Sequence, residues 1–190
     1  MPRITSPIAE ALSQLAAAFD DLGIGWYLFG AQAALLYGTA RLTADIDVTV
    51  LLKNTSTESL ARALENHDHE LRITDPAFIQ QTRVLPITHR PTAIPTDIVL
   101  GGPGLEEMFL ARAQRKMFAG ITVPVARAED LIVMKVLAGR PKDLEDVVAI
   151  IAAQLTKGLD IELVRDTLTM LEEALGQSDL LPQLDALLKA

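Results

Sequence analysis

Asp45 and Asp47 stand two residues apart at the head of Asp45-Ile46-Asp47-Val48-Thr49-Val50-Leu51-Leu52. The apolar, β-branched run predicts a strand, and residues two apart on a strand leave the same face. Two carboxylates side by side repel unless a cation sits between them. Mg2+ or Mn2+ suits such a pair, because a hard cation prefers carboxylate oxygen and takes its other ligands from water and phosphate. The spacing alone is more often just two acids at an exposed strand start. A third acid, Asp97, lies in a second apolar run, Thr96-Asp97-Ile98-Val99-Leu100, where a strand-end cap is the plain alternative. If that strand pairs beside Asp45–Leu52, three carboxylates converge. Such a group can hold two metal ions for in-line phosphoryl or nucleotidyl transfer.

The acids need a scaffold and a place for phosphate. Ile24–Phe29 reads as a buried strand stopped by Gly30, and residues 31–37 read as a short helix ended by Gly38. Free backbone N–H groups at Gly30 and Ala31 make that turn an anion site, and glycine lets the backbone approach a phosphate. Upstream, Ser6-Pro7 predicts a helix start, with Ile8, Leu12, Leu15, Phe19 and Leu22 at helical spacing and Gly23 ending the run. Thr55-x-x-Glu58 reads as a capping box opening a helix to about Glu65. Val84–Thr88, Thr96–Leu100 and Ile121–Ala126 read as strands, and Leu105–Gln114 as a helix. From Glu129 on the pattern is helical, broken at Gly139-Arg140-Pro141. The fold expected is α+β: a mixed sheet flanked by helices over residues 1–127, then a helical lobe over 128–190 that completes the active site.

Composition narrows the classes. Cysteine is absent, which removes disulfides, thiolate metal sites and cysteine nucleophiles. The histidines His67, His69 and His89 make no convincing zinc site, and Asn66-His67-Asp68-His69-Glu70 reads as a solvated turn. No leader pattern or membrane-length apolar run is seen, so a cytoplasmic protein without a membrane partner is expected. The net charge of −8 argues against broad nucleic-acid affinity. Residues 158–190 carry seven acids and two bases, an acidic helical surface that a basic partner could meet. Arg112, Arg115 and Lys116 are the cluster that could form a local basic patch, or equally a solvated helix end.

Phe29-Gly30-Ala31-Gln32-Ala33 followed by Arg41-Leu42-Thr43-Ala44-Asp45-Ile46-Asp47-Val48 resembles the polymerase-beta-type nucleotidyltransferase superfamily. Within it the chain is most similar to the AbiEii/AbiGii-type toxin family. A second block, Ala128–Lys135 with Gly139-Arg140-Pro141-Lys142-Asp143-Leu144-Glu145-Asp146, resembles that family's Lys followed by Lys-Asp-x-x-Asp. The likeness runs from about Leu28 to Ile150. It implies a nucleoside triphosphate (ATP among the candidates) as substrate, with Gly30 and Ala31 on the triphosphate and Asp45 and Asp47 binding both metals. Asp97 would bind the catalytic metal and help activate the attacking hydroxyl. Lys135 or Lys142 would contact phosphate, and Asp143 and Asp146 would shape the nucleotide pocket. Arg41 and Thr43, in the loop before the acids, complete the candidate nucleotide contacts. The family turn is usually Gly-Ser or Gly-Gly; here Ala31 offers its N–H but no hydroxyl.

The function expected is transfer of a nucleoside monophosphate from NTP to a hydroxyl on tRNA, other RNA or protein. The resemblance implies the toxin of a toxin–antitoxin or abortive-infection pair, with an antitoxin partner. Two alternatives stand beside it: a nucleotide-binding or interaction module that keeps the fold without the chemistry, and a small-molecule, antibiotic-type nucleotidyltransferase.

Overall fold

In a computed structural model the described residues are 6–40 and 43–189. They divide into two compact units, Met1–Gln32 with Leu42–Ala126, and Ala33–Arg41 with Arg127–Ala190.

The first unit is built on a mixed sheet. Its strands are β1 (Gly25–Phe29), β2 (Ile46–Leu51), β3 (His69–Leu71), β4 (Val84–His89), β5 (Ile94–Leu100), β6 (Gln114–Phe118) and β7 (Ile121–Val125). Their order is β3-β4-β5-β2-β1-β7-β6. β1 runs antiparallel to β2 and parallel to β7, while β2 and β5 are parallel. Ile46, Val48 and Val50 are completely buried on one face of β2. The alternation that buries them turns Asp47 to the other face.

Helix α1 (Pro7–Leu22) covers the sheet. Ser6 caps it by accepting the Ala9 N–H at 3.2 Å, and Gly23 closes it in the left-handed conformation. Its Phe19 ring lies 5.3 Å from that of Trp26 on β1. Two further helices of this unit follow between β2 and β4: α3 (Thr57–Asn66) and α4 (Pro76–Thr82), with α5 (Leu105–Arg112) after β5. The short α2 (Gly30–Leu35) follows β1 directly. The cap of α3 is Ser56, which accepts the Ser59 N–H at 3.1 Å, not the Thr55 of the expected capping box. Both residues are hydroxyl caps one apart, so local chemistry alone did not separate them.

Two strands were not expected. Residues 114–118 pair with β7 as an antiparallel hairpin, so α5 ends at Arg112. Of the stretch read as a solvated turn, His67 and Asp68 form one, but His69 and Glu70 open β3, with His69 opposite His89 in register and both histidines completely buried. Their rings stand 5.0 Å apart, and His89 Nδ1 lies 2.7 Å from Thr92 Oγ1. His67 keeps the polar role expected of it, with Nε2 2.8 Å from Asp21 Oδ2.

This histidine pair makes stability pH-dependent. Burial first, then the charges of His89, His67 and Arg90, push His69 down from 6.5 to about 4. Burial lowers His89 as well, against the opposing pull of Glu10 and Asp68 and with the help of Arg90. The unfolded chain therefore takes up protons near pH 6.5 that the folded chain refuses, and stability falls as pH drops from 6.5 toward 4. Urea unfolding at pH 7.5 and 4.5 is expected to show a loss of about 2–3 kcal/mol from His69. His69→Leu, which cannot titrate, should flatten the profile by that amount.

The second unit contains α6 (Ala128–Ala138), α7 (Pro141–Gln154), α8 (Ile161–Leu175) and α9 (Leu180–Leu187). α6 contacts the other three and is buried nearly all round, which is why its sequence lacks a polar stripe. Residues 33–40 group with these helices, whereas continuity of sequence had put them with the sheet. Gln154 Nε2 donates to the Tyr37 carbonyl at 3.0 Å. Gly38 has φ +113° and lies so close to Ala153 that a Cβ would overlap it. Among the described residues, no helix is long and apolar enough to cross a membrane.

Candidate active site

Sheet pairing brings two of the three acids together. Asp47 on β2 and Asp97 on β5 are register partners on adjacent parallel strands, so both project from the same face. On its other side Asp47 is in register with Phe29, the last residue of β1. The chain then turns at Gly30, with φ +68°. A Cβ on Gly30 would overlap the Asp47 carboxylate, standing 2.7 Å from its Cγ. Glycine is required here twice, by the left-handed backbone and by the carboxylate lying against it. The sequence suggested room for phosphate; the structure adds that Asp47 itself occupies the space beside the turn.

Asp45 is exposed and immediately precedes β2. Its N–H donates to Thr43 Oγ1 at 3.2 Å. The Thr43 carbonyl accepts from the buried amide Nε2 of Gln32 at 2.6 Å. Thr43 thus ties the segment before the acids to the helix after Gly30, and Gln32 is a positioning residue that sequence reasoning missed. Its signal was present: a polar side chain inside the apolar Ala31–Leu36 run. Ala31 is buried in α2. Arg41 lies outside the described residues.

Asp97 is held by Arg72, whose Nη2 donates to Oδ1. Arg72 Nε donates to the Ile87 carbonyl at 3.2 Å, which anchors the guanidinium to β4. Nothing in the sequence pattern pointed to Arg72, since the link spans 25 residues and depends on β4 lying between β3 and β5.

Among the described residues, no three His, Asp or Glu side chains stand close enough together to hold a metal ion. The donors nevertheless fit a hard divalent cation by their chemistry. Asp45, Asp47 and Asp97 are all carboxylates, and water and phosphate oxygens complete such a coordination sphere. A hollow of about 400 Å³ lined by Thr57, Ala61, Leu71, Ile79, Arg83 and Leu100 contains none of these acids.

The remaining candidates lie in the second unit, and three of them, Lys135, Asp143 and Asp146, meet. Lys135 Nζ is 2.6 Å from Asp146 Oδ2 and 3.4 Å from Asp143 Oδ1. Arg140 Nε also bonds Asp143. Lys135, Asp143 and Asp146 are each 5 % exposed or less, whereas Lys142 is exposed. Burial pushes the Asp143 carboxyl up, but the hydrogen bond from Arg140 and the charges of Lys135 and Arg140 outweigh it and hold the group below the usual range. Nearby, buried Glu129 takes two bonds from Arg127, at 3.1 and 3.2 Å, and accepts the Asp160 N–H ahead of α8.

Residues 7–179 match the family described as nucleotidyltransferase of unknown function (DUF6036). The chain belongs to this nucleotidyltransferase family. No curated protein matches it. Solved structures of similar fold include the antibiotic-resistance factor ANT(2'')-Ia, 16 % identical, with a TM-score of 0.60 over 91 % of this chain and 97 % of that one. An antigenic nucleotidyltransferase-like protein from Paracoccidioides brasiliensis is 17 % identical, with a TM-score of 0.54 over 95 % and 92 %. The lincosamide antibiotic adenylyltransferase LnuA, in its lincomycin-bound form, is 13 % identical, with a TM-score of 0.50 over 74 % and 94 %. At these identities the likeness is one of fold, and it agrees with the α+β, nucleotidyltransferase-like architecture expected from the sequence.

Proposed function

We propose that this nucleotidyltransferase-family protein moves a nucleoside monophosphate from an NTP to a hydroxyl acceptor, using Asp45, Asp47 and Asp97 as its acid site. The observation that carries the reading is the register of Asp47 with Asp97 beside the Gly30 turn. Asp45 and Asp47 would hold a divalent cation, with Asp97 as the third ligand. Bound there, Mg2+ or Mn2+ would supply stabilisation of the negative charge that develops at the α-phosphate and on the departing pyrophosphate. The backbone at Gly30 and Ala31 would approach the triphosphate. The acceptor oxygen bonds to the α-phosphorus, the bond to the bridging oxygen of pyrophosphate breaks, and the hydroxyl proton passes to the Asp97 carboxylate. A shallow apolar shelf formed by Pro7, Ile8, Ala44 and Ile94 includes the residue just before Asp45 in the chain and suits the face of a sugar or base.

Two acceptor classes are in play. The resemblance to AbiEii/AbiGii-type toxins supports tRNA, other RNA or protein, with an antitoxin as partner. The small-molecule reading draws on the fold neighbours, one of which is known in complex with adenylyl-2''-tobramycin. A net charge of −8 favours a small or protein acceptor over RNA. Purified protein with each labelled NTP and Mg2+ or Mn2+ is to be offered total RNA, cell protein and a panel of hydroxylated antibiotics. Label is expected in one pool only, and only with metal. Absence of product from every pool, together with an NTP-dependent rise in melting temperature, would favour the binding-module alternative.

A further inference from the structure

We infer that Arg72 is a positioning residue for the acid site, holding the Asp97 carboxylate and competing with a divalent cation for it. The inference rests on the reading of Asp45, Asp47 and Asp97 as cation ligands. Arg72 follows β3 directly, and its backbone N–H donates to the Pro86 carbonyl at 2.9 Å. Pro86 is the register partner of Asp97 on β4. From that footing the guanidinium crosses β4, leaves Nε on the Ile87 carbonyl, and reaches Asp97 with Nη2. The strand order β3-β4-β5-β2 then places Asp97 between two claims on its charge. Arg72 comes from the β4 side, and Asp47, with any cation it holds, from the β2 side.

The balance between these claims follows from exposure. The Arg72 and Asp97 side chains are 41 % and 46 % exposed, so solvent screens their attraction. An ion pair of that kind changes an equilibrium by about two- to fivefold. That is enough to weaken cation binding and too little to prevent it. The backbone anchor matters because it keeps the guanidinium at this carboxylate without fixing it by burial. Arg72 therefore sets how readily Asp97 joins Asp45 and Asp47, and a substitution there should be felt through Asp97 and nowhere else.

Mn2+ titration followed by electron paramagnetic resonance tests this without any turnover. Native protein, Arg72→Ala, Asp97→Asn and the double variant would be compared, with Arg72→Gln added because its amide can still donate to the Ile87 carbonyl. Arg72→Ala and Arg72→Gln are expected to bind Mn2+ about two- to fivefold more tightly than native. Asp97→Asn should bind more weakly, and adding Arg72→Ala to it should change nothing further. Unchanged or weaker binding in both Arg72 variants overturns the inference while leaving the acid site standing. Equal tightening with and without Asp97 also overturns it, because the effect would then be a diffuse field. If neither native protein nor the Arg72 variants take up Mn2+, the cation reading of the acids fails and the inference falls with it.

Discussion

Asp47→Ala is expected to lower nucleotidyl transfer by about a hundred- to a thousandfold, a loss of the size seen when a group stabilising transition-state charge is removed. Asp47 is central because two positions depend on it. It is in register with Asp97 on one side and lies against Gly30 on the other. Removing its carboxylate would leave Asp97 without its register partner and the Gly30 turn without its charged neighbour. Gly30→Ala makes the same point from the opposite direction. The added methyl strains a left-handed residue and displaces the Asp47 carboxylate, so activity should fall while the charge count stays the same. Glu173→Gln removes an equal charge from the exposed side of α8 and should leave the rate within error. Single-turnover transfer of label from NTP reads all three. Similar signals from native protein and Asp47→Ala would assign the activity to a contaminant.

Lys135→Met is expected to destabilise the protein by about 3–5 kcal/mol, the cost of breaking a buried ion pair by removing one partner. The ammonium serves two carboxylates that are themselves buried, Asp143 and Asp146. Asp143 retains Arg140, but the net downward shift of its carboxyl depends partly on Lys135. Without the lysine, burial opposes ionisation with less to offset it. Lys142→Ala, at an exposed position in the first turn of α7, should stay within about 0.5 kcal/mol of native. Equilibrium denaturation in urea separates the two. A small effect at Lys135 would mean that water reaches the two aspartates, and that the network is not the buried support that its geometry describes.

Local chemistry made much of this protein legible. Ser6-Pro7 and Gly23 bracket α1 because a hydroxyl cap, a first-turn proline and a left-handed glycine act within a few residues. Asp45 and Asp47 could be marked because a two-residue period on an apolar run implies a shared face whatever the strand pairs with. Residues 128–138 could be read as helical, yet not as the centre of a bundle, since a helix buried all round carries no periodic signature. The strands at residues 69–71 and 114–118 were missed for a related reason. One is three residues long, and the other, Gln-Arg-Lys-Met-Phe, is an edge strand whose polar residues face solvent.

By itself the sequence determined most of the elements, the caps of α1, and which acids could share a face, because those properties depend on neighbours a few residues away. Tertiary structure alone decided the partners. It chose β5 to lie beside β2, so that Asp97 meets Asp47, and put β4 between β3 and β5, so that Arg72 reaches Asp97. It buried His69 against His89, and it joined residues 33–40 to the helical unit through Gln154 and the close approach of Gly38 to Ala153. In each case the pairing is selected by the burial and hydrogen bonding of a whole sheet or bundle, summed over elements far apart in the chain, and no local period records that sum.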